Sequence, residues 1–353
     1  MYYVGVDLHK KTAWFYLVDS KGNKLDSRNV PNGEEDLKNY LQKIPKPFIL
    51  AVECTYNWYN FVDIAEQYAN EVYLANSFEL KAFAKRHKKT DKIDARLIAH
   101  VLRSGFLPIV TIADKKTREA RELLRYRMNM VSDRTRNISR LKALLDKLGC
   151  KYCGDFTTYK GLSSIDTNGL PTIYVDVVKG YSERIMELGE RIDKVEKEVE
   201  CIVERDTDMS NLLTIPGIGS FSAALIKSEI IDIGRFKSFN RLCAYSGLAP
   251  RVSGSGEKIY HGQLNINRRK NLQWILLEIV FHYVRSSEKA QEKFKRIERT
   301  KGYNTAKVVL ARDMLKIIYH VLKEKRAYYR SEVDYNNGRD KIQSVAAAAL
   351  CGV

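Results

Sequence analysis

The sequence predicts an α/β domain followed by a mainly helical region, on three observations. Short apolar runs alternate with helical stretches through the first hundred residues. From about Asp114 the pattern turns to long helices rich in charge, and one of them carries an apolar stripe stepping by three and four from Val178 to Ile202.

The runs at 2–8 and 13–19 read as strands because they concentrate β-branched and aromatic residues. A third strand, 24–30, follows the turn signal Gly22-Asn23. A polar helix at 34–42, an apolar strand at 48–53, a helix at 58–68, a strand at 71–75 and helices through Leu102 complete the region. Three hairpin-linked strands followed by alternating helix and strand is the order of a ribonuclease-H-like domain. Beyond it, 117–148 reads as a helix with Ile138, Leu141, Leu145 and Leu148 on one face. The stripe Val178, Tyr181, Ile185, Leu188, Ile192, Val195, Val199 and Ile202 reads as a coiled-coil seam on an antiparallel partner helix. The Gly- and Thr-containing stretch 153–172 is the loop or small insert between them, and either an intramolecular hairpin or a dimerisation arm fits the seam. After Asp208 the chain is mixed helical, broken at Leu212-Leu-Thr-Ile-Pro-Gly-Ile-Gly219, and it ends in a small-residue tail. The expected division is 1–112, 113–207 as a helical linker or dimerisation region, 208–335, and a tail 336–353.

Lys and Arg outnumber Asp and Glu by 60 to 43, a formal charge of +17, so a polyanion is the expected partner. No run approaches the ~18 apolar residues of a spanning helix, and the start lacks a basic-then-apolar signal. A soluble, cytoplasmic protein with no membrane partner is expected. The six cysteines are scattered, which fits a reducing compartment. Cys150 and Cys153 form a CxxC, read as two thiols at a helix end in preference to zinc ligands because no second Cys/His pair follows at suitable spacing.

Four carboxylates stand where the expected fold would bring them together: Asp7 in the first strand, Glu53 ending the fourth, and Asp91 and Asp94 opening a late helix. Phosphodiester chemistry with two magnesium ions needs such a cluster, since hard cations take oxygen ligands. Asp91 also suits a helix N-cap. Asp7 argues for more than capping, because a charge inside the apolar run Tyr3-Val-Gly-Val-Asp-Leu8 is costly unless paired or metal-bound. His9, on the same strand face, is read as packed or exposed in preference to ligand or base. Between Lys81 and Arg103 there are eight Lys/Arg against two Asp, so Lys88, Lys89, Lys92 and Arg96 are candidate phosphate contacts, although a solvated helix face would look alike.

Ile215-Pro-Gly-Ile-Gly219 resembles a helix-hairpin-helix element, in which Gly217 and Gly219 permit close backbone approach to phosphate; a plain tight turn is the alternative. In Tyr245-Ser-Gly-Leu-Ala-Pro-Arg-Val-Ser-Gly-Ser-Gly-Glu-Lys258, glycines on both sides of Ser255 leave its hydroxyl accessible for nucleophilic attack. By composition alone the segment is a flexible, phosphate-contacting loop, with Arg251, Lys258, Arg268, Arg269 and Lys270 as its cations.

Together these residues resemble the DEDD/serine transposases of the insertion sequence 110 type, the bridge-RNA-guided recombinases, over nearly the whole chain. VGVDLHK, AVECTYNW and KTDKIDARLIA carry the acids, and LLTIPGIGSFSA and YSGLAPRVSGSGEK look like the second domain. The resemblance implies a RuvC-like N-terminal domain binding Mg2+, with Mn2+ as a substitute, and a serine that forms a covalent 5′-phosphoserine with cleaved DNA. Five residues beyond Pro250 places that role on Ser255. The family's commoner Ser-Ser-Gly-Gly-Lys reads Gly-Ser-Gly-Glu-Lys here, so Ser253 stays a rival. Also implied are donor and target DNA, a structured noncoding RNA, and a homo-oligomer, dimer to tetramer, that juxtaposes metal site and serine across subunits. A junction-resolving nuclease using only the acids, or a non-catalytic nucleic-acid scaffold, are the competing readings.

Overall fold

A computed structural model describes residues 1–83, 90–255, 258–265 and 268–328, with the backbone course alone over 252–255 and 258–261. Lys88, Lys89 and the expected tail 336–353 lie outside the described residues. The chain forms two compact units, Met1–Ala113 and a second beginning at Asp114.

The first unit is a mixed sheet with helices on both faces. Its elements are β1 (Tyr2–Leu8), β2 (Thr12–Val18), β3 (Lys24–Pro31), α1 (Glu34–Leu41), β4 (Phe48–Glu53), α2 (Trp58–Ala65), β5 (Glu71–Ala75), α3 (Ser77–Leu80), α4 (Asp91–Arg103) and β6 (Ile109–Val110). The strand order is β3-β2-β1-β4-β5-β6, with β1 antiparallel to β2 and parallel to β4. β1 is therefore central, and period-two alternation divides its side chains between two covered faces. Val4, Val6 and Leu8 join Leu37, Leu41, Phe61 and Val62 of α1 and α2 in one core. Tyr3, Gly5 and Asp7 turn the other way, toward α4. β3 carries the polar residues, as an outer strand beside solvent should.

The second unit opens with two long helices, α5 (Lys115–Leu148) and α7 (Thr172–Glu204), joined through the short α6 (Tyr159–Ser163). They pack antiparallel: Leu141 and Leu145 share a core with Val178 and Ile185, while Leu124 and Met130 share one with Leu188, Ile192 and Val195. The three-and-four stripe is thus buried within the chain, each such side chain contributing about 1.5–3 kcal/mol. α8 (Thr207–Leu213), α9 (Ser220–Ile230), a 3-10 turn (Ile233–Arg235), α10 (Phe239–Ser246), β7 (Pro250–Ser255), β8 (Lys258–Leu264), α11 (Lys270–Ser286), α12 (Glu288–Lys301) and α13 (Tyr303–Glu324) follow. The base of α7 (Val195, Val199, Val203) belongs to the same core as α9, α11 and α13.

One expectation is corrected. The serine segment is no irregular loop but an antiparallel hairpin, with Ser253 opposite Tyr260 and Ser255 opposite Lys258. Pairing satisfies backbone groups that a loop would leave to water, and it makes Ser255 the last residue of its strand. Among the described residues no helix is long and apolar enough to cross a membrane.

Candidate metal centre and nucleic-acid contacts

Asp7 is a carboxylate built into a core strand, 5 % exposed. What stands over it is set by Gly5. A Cβ there would come within 2.2 Å of the Ala95 carbonyl oxygen and 2.3 Å of the Ala99 nitrogen, so α4 lies directly on the β1 backbone. Ala95 and Ala99 are fully buried in that contact. Two residues along a strand advance about 6.6 Å and four along a helix about 6 Å. The step from Gly5 to Asp7 therefore matches the step back from Ala95 to Asp91, and close packing at the glycine delivers Asp91 to Asp7.

His9 Nε2 lies 3.2 Å from Asp7 Oδ2 and 3.4 Å from Asp91 Oδ1. Asp7, His9 and Asp91 each offer a donor atom, all within 4.8 Å of one another. Burial pushes the Asp7 carboxyl up to about 6; the nearby His9 works against this, and the charges of Asp91 and Glu53 add to it. Glu53 ends β4 one residue beyond the Val6–Val52 pairing, close enough to repel Asp7 yet outside the tight triangle. Asp94 follows Asp91 by one turn on α4 and is likewise outside it. The sequence-based cap assignment is corrected too: Thr90 is the N-cap of α4, its hydroxyl accepting from Ile93 N at 3.4 Å, which leaves the Asp91 carboxylate, about half exposed, for other work.

The donor set fits a divalent cation. A carboxylate held nearly out of water, repelled by two other acids, is a site that a hard cation neutralises. Lys92 and Arg96 stand exposed on α4 beside it. Sequence reasoning expected a packed or exposed His9, which is about half exposed and stands beside Asp7 and Asp91, and it missed Gly5. The available signal for Gly5 was a lone glycine inside a β-branched run, which marks close backbone approach.

In the second unit, Thr214–Gly219 turns between α8 and α9. Gly217 has φ +92°, and a Cβ there would meet His282 Cβ at 2.8 Å, so α11 backs directly onto the turn. Gly219 is the N-cap of α9, and an open cleft of about 460 Å³ lies between the turn and α11, reached by Ser222, Glu278 and His282. Of the expected cations, Arg251 and Lys270 are exposed. Lys258 sits in β8 across from Ser255. Arg268 instead packs over Gly247, and Arg269 Nε donates to Tyr245 Oη at 2.6 Å. Behind them Glu229, 3 % exposed, lies 3.9 Å from both Arg121 and Arg269, and Asn271 Nδ2 reaches it at 3.4 Å. This buried cluster, unforeseen from sequence, ties α5, α9 and α10 to the start of α11, just beyond the serine hairpin.

Comparison with known families decides the lineage. A DEDD model of IS110 type, described as "Transposase", matches residues 4–149, and "Transposase IS116/IS110/IS902 family" matches residues 209–295. The chain belongs to the IS110-type transposase family. It is accordingly an enzyme of the DNA recombinase/transposase class. Relatives include the transposase for insertion sequence element IS1328 of Yersinia enterocolitica, 25 % identical over 81 % of this chain and 84 % of its own length. The transposase for IS1111A of Coxiella burnetii is 24 % identical over 92 % and 90 %. The pilin gene-inverting protein of Moraxella bovis is 25 % identical over 92 % and 97 %. Both family matches include the sites described: the first contains the Asp7 triangle, the second the Gly217 turn and the serine hairpin.

Proposed function

We propose that this family member is the transposase of an insertion sequence: a magnesium-dependent recombinase, guided by a bridge RNA, that cuts and exchanges DNA strands through a covalent phosphoserine. The observation that carries the reading is the buried Asp7, brought to Asp91 by the seating of α4 on Gly5. The strand order, with β1 between antiparallel β2 and parallel β4, supports a ribonuclease-H-like, RuvC-like first domain. The division at 113–207 and 208–335 into helical linker and serine domain is part of the proposal, as is the helix-hairpin-helix role of the Gly217–Gly219 turn.

Asp7, Glu53, Asp91 and Asp94 would hold Mg2+, or Mn2+ in its place, which supplies charge neutralisation at the scissile phosphate. Lys92 and Arg96 draw the backbone toward these acids, and Arg251, Lys258 and Lys270 do the same around the hairpin. The amides opening α9, with Gly217 and Gly219, hold a second phosphate without reading sequence. The Ser255 oxygen attacks phosphorus; the bond to the 3′ oxygen breaks, that oxygen takes a proton in exchange for the one the serine loses, and a 5′-phosphoserine remains. A 3′ hydroxyl from the partner strand reverses the step and frees the serine. Acids and serine act from different subunits of a dimer or tetramer. The RNA component rests on the family resemblance together with the +17 charge.

The test is to trap the adduct under denaturing conditions on donor DNA. Ser255→Ala should abolish it with RNA copurification intact, while Ser253→Ala should retain it; recombination by Ser255→Ala would remove Ser255 from the role. Alanine at Asp91 or Asp94 should lower strand cleavage by roughly 10²-fold or more. Metal-dependent nicking by the wild type without any adduct would establish the junction-resolving nuclease instead.

A further inference from the structure

We propose that His9 is a direct ligand of the metal ion, so that the centre is a mixed nitrogen–oxygen site with a built-in preference for Mn2+ over Mg2+. The proposal rests on the reading that Asp7 and Asp91 hold the ion.

Spacing is the first support. Two ligands at right angles, each about 2.1 Å from an ion, lie about 3 Å apart. His9 Nε2 stands 3.2 Å from Asp7 Oδ2 and 3.4 Å from Asp91 Oδ1, near that separation on both sides, and the three donor atoms lie within 4.8 Å of one another. The contact to Asp7 is itself a hydrogen bond, and a metal ion would take the same nitrogen in place of its proton.

Anchoring is the second support. The His9 N–H donates to Thr12 O at 2.8 Å, and the His9 carbonyl accepts from Asn32 Nδ2 at 3.0 Å and Asn57 Nδ2 at 3.1 Å. Residues at the start of β2, just after β3 and in the β4–α2 loop thus fix the backbone of a side chain that is itself about half exposed. These bonds hold the His9 backbone at the mouth of the site, which narrows the positions open to a ring that must be placed closely if it is to bind an ion. An imidazole nitrogen favours the softer first-row divalent ions, while Mg2+ prefers oxygen throughout.

Mn2+ bound to the full-length protein, without nucleic acid, gives the decisive readout by pulsed electron paramagnetic resonance, alongside titration calorimetry with Mn2+ and Mg2+. Wild type should show the hyperfine coupling of a directly bound nitrogen, and His9→Gln, which keeps a donor toward Asp7, should lose it. The same variant should weaken Mn2+ binding by at least about 10-fold, the loss that even an outer partner of a ligand produces, with Mg2+ affinity changed far less. Mn2+ binding that is abolished by Asp7→Asn but shows no nitrogen coupling in wild type would overturn the role of His9 and leave the acidic centre standing. Equal losses for both ions in His9→Gln would reduce His9 to a structural residue and overturn the preference. Absence of any Asp7-dependent binding would overturn the centre and this proposal together.

Discussion

Replacing Asp7 with Asn should stabilise the metal-free protein at neutral pH while destroying its metal site. Burial raises the Asp7 carboxyl from the usual 3.8 to about 6. At 1.36 kcal/mol per tenfold change, that difference corresponds to about 3 kcal/mol, and water at the half-exposed rim formed by His9 and Asp91 brings it to on the order of 1–2 kcal/mol. The direction follows from proton linkage. The folded chain holds this proton more tightly than the unfolded chain, so the contribution is fully present below about pH 4 and is lost as pH rises through about 6. Asn never ionises. The stability difference between Asp7→Asn and wild type in EDTA should therefore grow between pH 4 and pH 7, reaching about 1–2 kcal/mol in favour of the variant. Trp14 and Trp58 lie in the first unit, so urea unfolding followed by fluorescence in a Trp274→Phe background reports on that unit. Divalent ion at 100 times its dissociation constant should then add about 2.7 kcal/mol to wild type and nothing to the variant. A variant less stable than wild type at pH 7 in EDTA, or a difference that ignores pH, would refute the account of a repelled, desolvated carboxylate.

Two glycine substitutions test how the sites are positioned. Gly5→Ala places a methyl 2.2 Å from the Ala95 oxygen and should cost at least about 3 kcal/mol, lifting α4 so that Mn2+ binding falls in whatever fraction still folds, as calorimetry would read. Gly217→Ala combines φ +92° with a 2.8 Å approach to His282 and should lower stability by about 1–3 kcal/mol; under the proposed phosphate-holding role of the turn, a mobility-shift assay should show DNA affinity reduced alike for all sequences.

Local chemistry made much of the molecule readable in advance. β-branched and aromatic runs specify the first two strands, and the Gly22-Asn23 turn sets off the third, because strand and turn propensities act over a few residues. The stripe from Val178 to Ile202 specifies a long helix with one buried edge, because 3.6 residues per turn is a property of the backbone itself. Asp7 announced itself by its cost, a charge in an apolar strand. The sequence left open which surface would cover that stripe, and packing in the folded chain assigned it to α5. The Ser and Gly content around Ser255 hid a hairpin, since strand pairing is a non-local choice that Val252, Ile259 and Tyr260 express only when opposed.

The amino-acid sequence by itself determined the elements and the lineage-bearing motifs, because each depends on neighbours a few positions apart. Only the tertiary structure decided that Thr90 and not Asp91 caps α4, that Gly5 seats α4 on β1, and that His9 joins Asp7 and Asp91 in one triangle. The last two outcomes depend on distances between segments more than eighty residues apart, and such distances exist only once steric contact between a helix and a strand has fixed them.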